Sequence, residues 1–489
     1  MGANNFPLLI ILILFISAFV MPLMKKIDRV KKLSIFTMSI SLVLGILNLG
    51  YVNENGAYIY RVGHFDAPWG IEFQIGFIES MMSIVFCLVA LLVTWYSIYS
   101  IEKEIKENKI IFYYILVNIL VGSLLGMVFT NDLFNSFVFI EVTTLASCGI
   151  IVVKDKKENI AAALKYLILS SLASGLILMG IAFLYDITGH LNMNFMHKEI
   201  VNSYGLYKNT LLISSGLFTI GIGIKSAMFP MYVWLPDAHS SAPSFSSALL
   251  SSLVLKPPVL LLIKIFYRIY GKEMIIEFGI LNFILILGTL GMIMGSIFAI
   301  RQKEIKRVIA YSSVAQMGYI YFGIGLGNEL GLTMAIFHMI GHAVTKSGLF
   351  LAAGAMIEKT HTKKLSELKG IGKEMPLTLG IFTLGALSMV GIPILPGFIS
   401  KWYLALATID MGKLVFMGAI LISSLLNAVY YFPIVVNGYF GEENIEGKVY
   451  GSKEKSFKEL APIFILMIIM IGVGVISNGL IDMIRKGLI

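Results

Sequence analysis

Along 489 residues the chain repeatedly runs for about twenty positions with almost no charge, and this repetition constrains the fold more than any other feature. Fourteen such runs lie near 6–23, 33–51, 76–100, 110–130, 132–153, 161–185, 209–229, 244–270, 278–300, 308–327, 330–357, 376–397, 401–437 and 461–482. Each is long enough to cross a bilayer as a helix, the one unclosed structure whose backbone polar groups are all satisfied from within. Only 14% of the residues are charged, against about a quarter in soluble domains. The expectation is an all-α integral membrane protein of about fourteen transmembrane helices, multi-pass in the cell membrane. No basic segment precedes the first run, and "FVMPLMKK" offers no small-x-small cleavage pattern, so it reads as a retained span and not a signal peptide.

A net charge of +9 would suggest nucleic acid as the partner of a soluble chain, but its placement says otherwise. Loops after odd-numbered runs hold 24 Lys and Arg, at 25–32, 103–109, 154–157, 301–307, 359–373 and 448–458, whereas the even loops hold about six. This positive-inside bias puts the odd loops in the cytoplasm and both termini outside. The partner is therefore the lipid bilayer, and no nucleic acid is expected. Cys87 and Cys148 both lie inside runs and lack a C-x-x-C partner, which excludes iron–sulfur and structural zinc sites within the chain. No strand pattern is evident and no nucleotide-binding glycine loop follows one. Neither a metal, a cofactor nor redox chemistry is expected in this chain.

Ionisable residues inside such runs cost roughly 2.5–3.5 kcal/mol each on insertion scales, so each is a functional candidate. Glu141 lies in "NDLFNSFVFIEVTTLASCGIIV"; a structural ion pair competes with a proton-path role. Lys225 lies in "LFTIGIGIKSAMFPMYVWLPDAH", where Pro230 is expected to break the helix, with snorkelling as the alternative. Lys256 follows in "SSALLSSLVLKPPVLLLIKIFY" beside Pro257 and Pro258, a pair expected to disrupt the helix, and Lys264, nearer the end, reads as a snorkelling lysine. The serines before it serve water or close helix packing. Lys401 follows Pro393 and Pro396 in "SMVGIPILPGFISKWYLAL", so the order of lysine and break is reversed relative to Lys225. Those two spans are five apart, and a five-span unit repeated in tandem faces the other way, which suggests inverted repeats with helices 7 and 12 broken.

In "FHMIGHAVTKSGLF", His338, His342 and Lys346 recur every four residues and stack along one helix face. The His pair has zinc-ligand spacing, but a lysine one turn on and no Cys or Asp in the span argue against a metal. Haem would need partners on other helices, and interhelical hydrogen bonding is the structural reading. A proton relay is favoured because imidazole titrates near neutrality and has two nitrogens.

With "LFNSFVFIEVTTLASCGIIV", "AALKYLILSSLASGLILMGIAFLYDITG", "GIKSAMFPMYVWLPDAHSSAPSFSSALL", "EIKRVIAYSSVAQMGYIYFGIG", "FHMIGHAVTKSGLFLAAG" and "GIPILPGFISKWYLAL" in this order, nearly the whole chain resembles a known family. These are the antiporter-like membrane subunits shared by respiratory complex I, energy-converting membrane-bound hydrogenases and multi-subunit Mrp cation/proton antiporters. The resemblance implies inverted five-helix repeats over spans 4–8 and 9–13. The single polytopic domain, 1–489, then divides into helices 1–3 (1–109), a first repeat (110–272), a second (273–439), and a loop with the last helix (440–489). It also implies proton transfer through Glu141, Lys225, Lys256, His338, His342, Lys346 and Lys401, with His239, Ser170, Ser174 and Ser312 as supporting groups. Some members carry a glutamate where Lys401 stands, and small residues are more usual at Pro257 and Pro258. The chain stops soon after span fourteen, without the long lateral helix or extra domain of larger members, and looks most like the Mrp D subunit and its hydrogenase counterparts.

The implied function is a non-redox, proton-translocating subunit of a larger membrane complex, either an Mrp-type Na+/H+ antiporter or a hydrogenase or NADH-quinone oxidoreductase-like ion pump. Its partners would be further antiporter-like and small hydrophobic subunits. The alternatives are a free-standing monovalent cation/proton exchanger and a purely structural membrane subunit.

Overall fold

A computed structural model describes residues 5–441 and 454–488. Residues 1–4, 489 and 442–453, the last holding part of the basic 448–458 loop, lie outside the described residues. The chain is helical nearly throughout. In order come α1 (Phe6–Val20), α2 (Ile27–Asn55), α3 (Phe77–Glu104), α4 (Glu107–Phe129), α5 (Leu133–Val152), α6 (Lys157–Thr188), α7 (Met193–Lys225) and the short α8 (Leu235–Ser241). Then follow α9 (Ser244–Tyr270), α10 (Ile280–Ile300), α11 (Ile305–Gly325), α12 (Glu329–Thr360), α13 (Pro376–Val390), α14 (Pro396–Asp410), α15 (Leu414–Phe440), α16 (Phe457–Val475) and α17 (Ser477–Leu488).

Among the described residues eleven helices are long and apolar enough to cross a membrane. Of the rest, α7, α11 and the α13–α14 pair are shorter or more polar, and α8 and α17 are too short. Three expected boundaries change. The 401–437 run is not one helix: α14 ends at Asp410, Gly412 turns the chain with φ 66°, and α15 starts at Leu414. The last run stops at Val475, and the amphipathic α17 follows. The 209–229 run belongs to a longer α7 that bends at Tyr207 and ends at Lys225. Among the described residues there is also a small hairpin, Tyr58–Arg61 paired antiparallel with Glu72–Ile75, although no strand pattern is evident in the sequence.

Pro257 and Pro258 do not disrupt α9. They occupy the first turn of a fresh α-helical segment after a π-type turn at Leu250–Val254, where a missing N–H costs little. Close packing elsewhere rests on small residues. A Cβ on Gly318 of α11 would lie 2.5 Å from the backbone nitrogen of Met292 on α10, so these two helices touch backbone to backbone.

Polar contacts sort the loops onto two faces. On one, Lys31 pairs with Glu102 at 2.6 Å, Lys154 with Glu104 at 2.5 Å and Lys455 with Glu358 at 2.6 Å, while Lys306 and Lys363 donate to the carbonyls of Ala242 and Ser240. These join loops after odd-numbered runs. On the other face Asn192 bonds Glu72 at 2.8 Å, Arg268 pairs with Glu79 at 2.7 Å and Arg485 approaches Glu329 at 3.9 Å, joining even loops. These contacts join odd loops to odd loops and even loops to even loops.

Candidate functional site

The first cluster forms where α5, α6 and α7 meet. Glu141 on α5 lies 3.4 Å from Lys225 Nζ, and that ammonium also donates to Thr144 Oγ1 at 2.6 Å. Ser174 of α6 donates to the carboxylate, and its hydroxyl in turn bonds the Ser170 carbonyl. Lys225 is buried, yet 37% of the Glu141 side chain is open on the flank of the molecule. Val138, Leu145, Ile168 and Leu172 are exposed on α5 and α6, and Val138 and Leu145 share the face of Glu141 at three- and four-residue spacing. A carboxylate on an otherwise apolar flank is costly against lipid.

Lys225 is the last residue of α7, and the chain breaks there as expected. Pro230 lies inside the break, Ala227 takes a left-handed φ of 56°, and Trp234 Nε1 donates to the freed carbonyl of Ile224 at 2.9 Å. The second break has a matching shape. Between α13 and α14, Gly391 and Ile394 take φ of 100° and 75° around Pro393, while Pro396 opens α14. A non-glycine residue at positive φ is strained and persists only where its surroundings hold it. Pro396 is thus a helix start, not the disruption itself.

Lys401 fills the second break from the other side. Its ammonium donates to the carbonyls of Met389 and Val390, the open end of α13, at 2.6 and 3.1 Å, and lies 4.9 Å from the centre of the Tyr319 ring. Helix C-termini expose unpaired carbonyls and partial negative charge, which a cation offsets.

Between the two breaks runs the row on α12. Lys346 donates to Ser312 Oγ, to the Ile309 carbonyl at 2.9 Å and toward Tyr431 Oη at 3.4 Å. His338 Nδ1 lies 2.8 Å from Ser400 Oγ, and the His338 and His342 rings stack 6.1 Å apart. Lys256, wholly buried, bonds the Ser251 carbonyl and neighbours His342 electrostatically, as do Lys346 and His239. His239 stacks on Phe350 at 4.8 Å. Neither ring nitrogen of His239 or His342, nor Nε2 of His338, has a protein partner among the described residues. Every candidate from Lys256 to Lys401 is therefore gathered in one buried layer. Lys225 stands apart from it: its hydrogen bonds stop at Glu141 and Thr144, and no protein group among the described residues bridges it to Lys256.

Lys264 is corrected. It does not snorkel; it is buried, donates to the Val128 and Thr130 carbonyls and lies 3.7 Å from Glu79. Sequence reasoning also missed Thr144, Ser400, Tyr319 and Tyr431, the partners of the titratable groups. Hydroxyls are too common in these spans to single out four; only the contacts reveal them.

The family model described as NADH:quinone oxidoreductase/Mrp antiporter, transmembrane, matches residues 130–427. The chain is 35% identical over 429 residues to NADH-quinone oxidoreductase subunit N of Desulforudis audaxviator, covering 86% of this chain and 84% of that one. It is 29% identical to the Na(+)/H(+) antiporter D subunit of Bacillus subtilis, covering 96% and 94%. A chain of the membrane-bound sulfane sulfur reductase, an archaeal respiratory membrane complex, superposes with a TM-score of 0.90 at 27% identity, covering 99% of this chain and 96% of that one. A chain of the Mrp complex from a Dietzia species has the same fold, with a TM-score of 0.90 at 21% identity over 100% and 97%.

Proposed function

The chain belongs to the membrane family of NADH:quinone oxidoreductase and Mrp antiporter subunits, and we propose that it is an antiporter-like, proton-translocating subunit of a multi-subunit membrane complex. The observation that carries this reading is the half-open Glu141. Lipid would not tolerate that carboxylate, whereas a neighbouring subunit seated on the α5–α6 flank would cover it and extend the polar layer beyond this chain. The relatives' names point the same way, since each is a subunit of a larger assembly.

In this reading α7, α11 and the α13–α14 pair also cross the membrane, giving fourteen crossings with inverted repeats over spans 4–8 and 9–13. The matched breaks after Lys225 and before Lys401, each with a residue at positive φ, support it. The division into helices 1–3 (1–109), the repeats 110–272 and 273–439, and the final segment 440–489 follows from the same symmetry. The basic odd-loop face is cytoplasmic in the cell membrane, so both termini face outward.

The seven candidate groups then act in sequence. Opening the Glu141–Lys225 pair frees the lysine to pass its proton through water toward Lys256. From there the His342, Lys346 and His338 row, supported by His239 and Ser312, carries it to Lys401. Among the described residues, of the four lysines only Lys225 has a carboxylate partner; Lys256, Lys346 and Lys401 rest on carbonyls and hydroxyls. Burying an ammonium without a counter-charge carries a desolvation cost that an apolar side chain would avoid. Its retention is explained if protons pass.

Lys225→Met and Glu141→Gln, assayed for proton transport in the assembled complex, are expected to abolish or severely slow it. Full transport in both would sink the assignment.

A further inference from the structure

On the even-loop face, well away from the row on α12, a cleft of about 680 Å³ opens between α3, α9, the start of α12 and the amphipathic α17. Its lining is mixed. Leu260, Ile263 and Leu332 contribute apolar surface. Lys264, Arg268, Lys272 and Lys486 stand there with two carboxylates, Glu79 and Glu329. Both carboxylates are already engaged: Glu79 by Arg268 at 2.7 Å and Lys264 at 3.7 Å, and Glu329 by Arg485 at 3.9 Å.

Positive charge is left over. Lys272 and Lys486 have no ion-pair partner among the described residues, and Nη1 of Arg268 is buried there without an acceptor, although Nη2 is bonded to Glu79. A guanidinium N–H lacking an acceptor calls for an oxygen from outside the chain. Such an oxygen must be anionic to balance the surplus charge, and the molecule bearing it must have an apolar body to lie against Leu260, Ile263 and Leu332.

We propose that this cleft binds an anionic phospholipid from the leaflet on the even-loop face, its phosphate held by Arg268, Lys272 and Lys486 and its acyl chains against Leu260, Ile263 and Leu332. Guanidinium and ammonium groups at the membrane surface bind phosphodiesters in this way, each cation adding a comparable increment. Because α17 walls the cleft and packs against α3 and α12, the lipid would brace the end of the chain against the bundle.

The test uses the full chain purified in mild detergent and exchanged with phosphatidylglycerol or phosphatidylcholine, the retained lipid being read by native mass spectrometry. Lys272→Gln/Lys486→Gln changes two exposed residues that hold no part of the core, so it is expected to fold. Wild type should retain phosphatidylglycerol in preference to phosphatidylcholine, and the double variant should weaken that retention by about tenfold or more. Thermal stabilisation by phosphatidylglycerol, absent with inorganic phosphate alone, would support a lipid site. Equal retention of both lipids, unchanged retention in the double variant, or the same stabilisation by inorganic phosphate would each overturn the proposal.

Discussion

Replacing Lys401 separates two roles that its position combines. Its ammonium holds the open end of α13 through the Met389 and Val390 carbonyls at 2.6 and 3.1 Å, in a site only 5% exposed. Hydrogen bonds between neutral groups on membrane helices average only ~0.6 kcal/mol. Here, however, the donor is charged and the acceptors lie where the helix dipole reinforces the attraction. Two such bonds contribute about 3 kcal/mol, and the Tyr319 ring at 4.9 Å adds up to about 1 kcal/mol. Lys401→Met forfeits all of this and leaves the Val390 carbonyl unpaired, while Met389 O keeps Asn427 Nδ2 at 3.2 Å. The ammonium's desolvation cost is recovered in part, so about 2–3 kcal/mol should be lost from unfolding in denaturing detergent, followed by tryptophan fluorescence. Lys401→Arg should recover most of that stability because the guanidinium keeps the donors and the ring contact. It should nevertheless transport as poorly as the Met variant, because arginine does not release its proton in proteins. An unchanged unfolding midpoint in Lys401→Met would refute the capping role. Wild-type transport in Lys401→Arg would refute the proton-carrying role.

Gly318→Ala places a Cβ within 2.9 Å of three backbone atoms of α10, which can move only if the helices separate; a loss of about 1–3 kcal/mol is expected, whereas Gly216→Ala, with nothing within 4 Å, should leave the same detergent-unfolding midpoint within about 0.5 kcal/mol. Asp132→Ala removes the side-chain cap on Asn135 N at 2.7 Å and should cost about 1 kcal/mol in that assay, while Asp132→Asn should be near neutral. Ser312→Ala leaves Lys346 its carbonyl and Tyr431 contacts, so dye-monitored proton uptake into vesicles should slow only severalfold, against near-complete loss in Lys346→Met.

Much of this was legible in the sequence because cost is legible there. A charge in an apolar run stands out whatever its surroundings, so Glu141, Lys225, Lys256, Lys346 and Lys401 could all be named. The breaks were legible through Pro230 and Pro393, although only the structure gives the strained Ala227 and Ile394 beside them. Ser312 and the Glu141 partner of Lys225 were anticipated from the resemblance, but most of what holds the lysines was not legible, because Thr144, Met389 O and Tyr431 come from other helices and carry no charge. Lys264 was misread for a related reason. Its distance from the run's centre implied a reach to solvent, but its counter-charge, Glu79, sits 185 residues earlier in the chain at the start of α3. Snorkelling is decided by what stands beside a lysine, which spacing along one helix does not reveal.

The reversed order of lysine and break has a chemical consequence that symmetry alone hides. Lys225 precedes its break, so the open carbonyl end of α7 is left for Trp234 to satisfy and the ammonium is free to pair with Glu141. Lys401 follows its break and, with Asn427 Nδ2 sharing Met389 O, satisfies the carbonyl end of α13. A carboxylate can accept the proton of its partner or swing away, and either event changes the charge beside the lysine. Backbone carbonyls can do neither, because they do not titrate and are fixed by the helix that carries them. If Lys401 carries the proton, no titrating hydrogen-bond partner among the described residues can trigger its release, whereas at the first lysine one side chain, Glu141, can do so. Perturbing Glu141 should alter the first step without touching the last, and perturbing the α13–α14 break should do the reverse.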